Sequence, residues 1–250
     1  MIPSSFFMNP RVAFKIDPRK DMRSLEAFAA QAPFDNGRSL RWAVLKKHPS
    51  LKRAFKNGAI VDRTHIERYI ADAYRKDRVS AKRNMARYAR DWRKKEKVFF
   101  AMTDALFGDF PWPKGAYAAY ATIWGMFPRF LDDKTFQVPM KYRAARAIPV
   151  IVAHEMLHFR FYAYIEARSP RYRDPERNLL LWHISEIFNI IVINSPEWQK
   201  VFSSRNLPYP EHRAIIAALR KRYPHATSFD LDRLIRDIHP LAKKLMARPA

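Results

Sequence analysis

Apolar residues recur along this chain with more than one period. Thr64-His65-Ile66-Glu67 is a capping-box signature, which predicts a helix from there to about Arg78. A longer helix is predicted from Ser80 to Phe107, where Ala81, Met85, Tyr88, Trp92 and Phe99 form one apolar stripe. Its opposite face is dense in cations, among them Lys82, Arg83, Arg87, Arg90 and Arg93. After the turn-rich stretch Gly108 to Gly115 the pattern changes. Ala116 to Phe130 is rich in Tyr, Thr, Ile, Trp and Phe, which is strand chemistry. Gly125 and Pro128 inside that run predict a bend or an edge strand, because proline cannot donate to a ladder. Asp132-Asp133-Lys134 reads as a turn and Thr135 to Val138 as a short return strand. Two strongly apolar helices follow. One has Pro149 in its first turn and runs to about Glu166. The other starts at the cap Asp174-Pro175-Glu176 and runs to about Asn194. A helix from Pro210 to about Tyr223 and a last segment from Ser228, interrupted by Pro240, complete the chain.

Residues 1–60 read differently. Pro10, Pro18, Pro33 and Pro49 cut them into pieces, with short basic helices at Ser39–Lys47 and Ser50–Lys56. The expectation is a basic N-terminal extension over 1–60 and one domain over 61–250. Its class is α+β and mostly helical: a small antiparallel or mixed sheet, a backing helix and the two apolar helices.

Chemistry concentrates in those two helices. His154-Glu155-Met156-Leu157-His158 is an H-E-x-x-H match. On a helix, positions i, i+1 and i+4 fall within about 100° of arc. Two imidazoles one turn apart can grip one Zn²⁺, and Glu155 stands where a carboxylate could deprotonate a water held by the metal. Apolar neighbours on both sides place the helix in the core, where unpartnered polar groups are costly. Two core histidines bonded to backbone carbonyls are the structural alternative. Glu186 sits amid Ile184 and Ile187 on the second helix and is the natural third ligand. His183, three residues earlier, is a second candidate, and a salt bridge from Glu186 to Arg143 or Arg146 is the non-metal alternative. Glu166 lies about 120° around the helix from His154 and points elsewhere. Tyr209, His212, Tyr223, His225 and His239 are loose candidates for a group that stabilises an oxyanion.

Composition narrows the picture. The chain of 250 residues is 48% hydrophobic and 14% aromatic with 5 glycines, which is an ordered globular composition. It has no cysteine, which excludes thiolate ligands, leaves His and carboxylates as the strong ones, and fits a reducing, cytoplasmic location. Neither a signal peptide nor an apolar stretch of about twenty residues is evident. The net charge is +23, and residues 1–100 hold 25 basic against 10 acidic residues. Such a balance favours non-specific contact with polyanions or nucleic acid, chiefly through the N-terminal half. A basic nucleic-acid-associated protein with a structural or inactive H-E-x-x-H is therefore the alternative function.

HEMLH followed twenty-eight residues after His158 by Glu186, on a helix of its own, resembles the gluzincin clan of zinc metallopeptidases, and in compactness its small stand-alone members, the minigluzincins. The likeness covers roughly residues 64–200. It implies a zincin-like fold, zinc held by His154, His158 and Glu186, Glu155 as general base, and hydrolysis of a peptide or protein substrate. In that clan the glutamate helix typically carries an acidic residue one turn after the ligand. Here the position is Ile190, with Asn189 before it.

Overall fold

The computed structural model describes residues 9–30, 39–142, 144–169, 178–225 and 230–247. In chain order they form β1 (Val12–Lys15), α1 (Pro18–Ala30), α2 (Leu40–Lys47), β2 (Phe55–Lys56), β3 (Ala59–Ile60) and α3 (Arg63–Phe107). Next come β4 (Tyr117–Thr122), β5 (Arg129–Phe130) and β6 (Thr135–Pro139). The chain then runs through α4 (Ile148–Arg168), α5 (Leu179–Ile193), α6 (Pro196–Phe202), α7 (Arg213–Arg222) and α8 (Leu231–Met246). Strands β2 and β3 make a separate hairpin, and the others make one mixed sheet in the order β1-β4-β6-β5. The first three are mutually parallel, and β5 is antiparallel to β6. The class is thus mostly helical with a small mixed sheet, as expected.

The backing element is one helix where two were predicted. α3 runs 45 residues, about 67 Å at 1.5 Å per residue. Neither Val79 nor Ser80 breaks it, since the Ser80 hydroxyl donates back to the Asp77 carbonyl (2.9 Å) inside the helix. Its cap lies two residues before the predicted one: Asp62 accepts from the His65 amide (2.8 Å). Ile66, Ile70, Tyr74, Ala81, Met85, Tyr88, Trp92 and Phe99 are buried along one stripe.

The run predicted as a strand from Ala116 stops at Thr122. The chain bends at Gly125, whose φ of 72° suits a residue without a side chain. Only Arg129 and Phe130 return as strand, and they form the outer edge. β4 is central because the return strand β6 pairs with it in parallel.

The described residues before 60 are part of the same core. Leu25, Phe28, Val44, Leu51 and Ala54 belong to one cluster with the buried faces of α3, α4 and α5, and β1 extends the main sheet. Asp21 of α1, fully buried, ties the layers together. It accepts from the Tyr74 hydroxyl (2.8 Å), the Ile123 amide (3.1 Å) and Gln137 Nε2 (2.9 Å). Pro10, Pro18 and Pro49 punctuate this stretch without detaching it.

Two further differences concern helix ends. α8 continues through Pro240. That residue is exposed, so water can satisfy the carbonyl whose hydrogen bond proline removes. α5 is capped by Asn178, which accepts from the Leu181 amide (2.9 Å). The cap expected at Asp174 and the segment start expected at Ser228 lie outside the described residues.

Candidate metal centre

α4 and α5 pack against each other in the core, and their polar residues meet. Every residue of α4 from Val152 to Tyr162 is buried, as is every residue of α5 from His183 to Ile193. His154, His158 and Glu186 are 9%, 0% and 4% exposed. His154 Nε2 and His158 Nε2 lie 3.0 Å apart. His154 Nε2 is 3.3 Å from Glu186 Oε2, and His158 Nε2 is 3.3 Å from Glu186 Oε1. Tetrahedral zinc with ligands at about 2.0–2.1 Å requires ligand–ligand distances of about 3.3–3.4 Å. The two imidazole nitrogens stand near that spacing, each faces one oxygen of the Glu186 carboxylate at it, and one ligand atom from each residue lies within 4.8 Å of the others. These three residues are also the group among the described residues able to hold a metal ion. The donor set suits a divalent cation and leaves the remaining corner to a ligand from outside.

The electrostatics suit the same use. Burial pushes the Glu186 carboxyl up, but the two imidazoles outweigh it and hold it well below the usual carboxylate range. Burial, reinforced by Arg129, drives His158 well below its ordinary value, so its ring is neutral with a lone pair free to ligate. His154 is also lowered by burial, yet Glu186 beside it raises it on balance. Glu155, 6% exposed, is pushed up to about 7 by burial, and its Oε2 is buried with no hydrogen-bond partner among the described residues. A carboxyl poised near neutrality beside a metal-ligand cluster has the properties of a general base.

Other groups surround these four, and sequence reasoning missed several. The partner of Glu186 is Arg129 from the edge strand β5, where Arg143 or Arg146 had been considered. Its Nη1 lies 3.3 Å from Glu186 Oε1, and its Nη2 donates to the Tyr162 hydroxyl (2.6 Å). Tyr162 in turn shares a hydrogen bond with Ser185 (2.8 Å). Arg146 is exposed, and Arg143 lies outside the described residues. Asn206, on the loop after α6, places its Nδ2 2.7 Å from His154 Nδ1. Asn194 holds that loop through both backbone groups of Asn206, at 2.8 and 2.9 Å. Asn189 donates to the His154 carbonyl (2.9 Å).

The remaining candidates separate. His183 is not among the grouped ligands; its Nδ1 lies 2.8 Å from His212 Nε2. His212 is fully buried and depressed to about 4, first by burial and then by His183. Tyr209 packs edge-on against Trp182 (5.1 Å) and His212 (5.6 Å). Its hydroxyl is raised by burial first, then by the negative charges of Glu186 and Glu155, which places it within electrostatic reach of the centre. Tyr223 donates to Asp237, His225 pairs with Glu197 on the surface, and His239 lines a cleft between α4 and α8. Glu166 is exposed, as its position on the helix predicts.

The fold and site together define a mostly helical protein with a buried two-histidine, one-glutamate group able to hold a metal ion. No single described helix is long and apolar enough to cross a membrane. Comparison with family models, curated proteins and solved structures gives no match.

Proposed function

We propose that the chain is a zinc-dependent metallopeptidase of gluzincin type with a zincin-like fold. The observation that carries this reading is the buried cluster of His154, His158 and Glu186, whose ligand atoms lie within 4.8 Å of one another, beside the carboxyl of Glu155, whose Oε2 has no partner among the described residues. His154, His158 and Glu186 would hold the ion, and imidazole with carboxylate suits zinc. When bound, zinc supplies Lewis-acid polarisation of a carbonyl and acidifies water.

The chain's own residues do the rest. Glu155 Oε2 takes a proton from a water molecule as its oxygen bonds to the peptide carbonyl carbon. The C–N bond then breaks, and Glu155 returns the proton to the leaving amine nitrogen. Tyr209, whose hydroxyl feels the charges of Glu186 and Glu155, is the candidate donor to the oxyanion. Arg129 fixes Glu186 and adds a positive charge beside the developing negative one. Edge strand β5 carries Arg129 to this place.

The test is metal content by elemental analysis on wild type, Glu186→Ala and Glu155→Gln, purified in parallel. One zinc per chain is expected in wild type and in Glu155→Gln, with a large loss in Glu186→Ala. Peptide hydrolysis should vanish in Glu155→Gln although its metal stays. A folded wild type that takes up no zinc on reconstitution would return HEMLH to the role of core histidines.

A further inference from the structure

The sheet has a second edge, and its surroundings are built for a ligand. β1 is the outer strand opposite β5. Its inner side pairs with β4. Between β1 and the middle of α3 lies an open trough of about 640 Å³. Its floor is made of small or apolar side chains, Ala13 from the strand and Met85, Ala86 and Ala89 from the helix. Its rim is cationic: Arg11, Lys82 and Arg93. No acidic residue lines it. The three cations are exposed, and none has an ion-pair partner among the described residues.

We infer that this trough docks an acidic polypeptide segment in extended conformation, which adds as a strand to the edge of β1 that no other described strand pairs with. The dimensions agree. Lys82, Ala86, Ala89 and Arg93 stand at i, i+4, i+7 and i+11, one stripe of the helix with alanines between two cations. The cations are about 16 Å apart along the axis at 1.5 Å per residue. Five residues of extended chain at about 3.3 Å each cover the same length. A segment with carboxylates near its two ends and small or branched residues between them matches rim and floor together. Alternate backbone groups of Val12–Lys15 supply the hydrogen bonds of strand addition.

Charge selects the occupant. Cations on a strand edge ordinarily guard it against pairing. Here they repel a second copy of this chain, which carries +23 overall and has Arg11 and Lys15 at β1 itself, but they attract an acidic strand. Nucleic acid is also anionic, but Phe14 is the one aromatic ring in the trough lining, and a single ring makes no platform for successive bases. This site stands at the opposite sheet edge from the metal centre and does not depend on it.

The probe is a fluorescein-labelled eight-residue peptide of alternating Glu and Val, blocked at both ends and read by fluorescence anisotropy on the full chain. Three controls accompany it: the same peptide N-methylated at alternate residues, a single-stranded oligonucleotide, and circular dichroism of every variant. Saturable binding is expected. It should fall at least ten-fold for the N-methylated peptide, for Ala89→Trp, which fills the trough, and for the surface double variant Lys82→Glu/Arg93→Glu. If both peptides bind equally, or folded Ala89→Trp binds as wild type does, the contact is charge attraction alone and the inference fails. Tighter binding of the oligonucleotide, lost in the double charge variant, would overturn it in favour of a nucleic-acid surface. Because peptide binding is read without metal, failure of the metallopeptidase reading leaves this result intact.

Discussion

His154 is held at both ring nitrogens, and that determines what its metal affinity should depend on. Nε2 faces Glu186 and His158, while Nδ1 faces the side-chain amide of Asn206. To ligate through Nε2 the ring must carry its proton on Nδ1, and a partner accepting from that proton fixes the tautomer and raises the basicity of the ligand. An amide can serve either tautomer, since a half-turn exchanges its NH₂ for its oxygen. The loop does not oppose the turn, because Asn194 grips Asn206 only by its backbone. Asn206→Leu should therefore weaken zinc binding by about ten- to a hundred-fold while the fold persists, measured by competition with a chromogenic chelator. Asn206→Asp, which can only accept, should bind zinc at least as tightly as wild type. Glu155 gives a second prediction at this scale. In chelator-treated protein its carboxyl should titrate near 7, the result of burial, as followed by infrared difference spectra. A bound dication favours the ionised form, so loading must lower that value. On the proposed mechanism, in which Glu155 must be deprotonated, the acid limb of kcat/KM should then lie below neutrality.

Among elements, helices were legible and their partners were not. The stripe from Ala81 to Phe99 and the polar positions of HEMLH follow from a period of 3.6 residues, which local sequence carries. Glu186 could be singled out because a carboxylate between isoleucines needs a partner. That the partner is Arg129 depends on where the sheet edge lies, and Asn206 stands in a loop with no periodicity at all. The join of the two halves of α3 was missed for a related reason: a Ser inside a helix and a Ser before one look alike in sequence.

α1 holds the carboxylate that joins α3, β4 and β6. Burial raises Asp21 from 3.8 to about 6. The folded chain thus holds this proton more tightly than the unfolded one. Its stabilising contribution is complete below pH 3.8 and is lost as pH rises through about 6, by about 3 kcal/mol at neutrality. Asp21→Asn, which has no charge to bury, should lack this decline. Urea unfolding of both proteins across that range should show the variant gaining on wild type by that amount. Parallel curves would mean that the hydrogen bonds from Tyr74, Ile123 and Gln137 already offset the cost.

For the molecule as a whole, the sharpest consequence concerns residue 60, where composition and prolines place a boundary. Leu25, Val44 and Leu51 are fully buried and Phe28 is 2% exposed. Each fully buried side chain of this kind contributes about 1.5–3 kcal/mol, so these four alone are worth about 6–12 kcal/mol. The net stability of a domain is only about 5–15 kcal/mol. Deleting residues 1–60 would also bare the β4 edge that β1 covers and leave Tyr74, Gln137 and the Ile123 amide without their shared acceptor. A chain of residues 61–250 should therefore fail to fold cooperatively even though it contains both histidines, Glu155 and Glu186. The measurement is a thermal melt by circular dichroism with an amide-proton NMR spectrum: no sharp transition and poor dispersion are expected. Co-expression of residues 1–60 as a separate chain should restore both, because the two pieces share one core. A truncated chain that melts sharply and binds zinc would show that the first sixty residues are the extension their composition suggests.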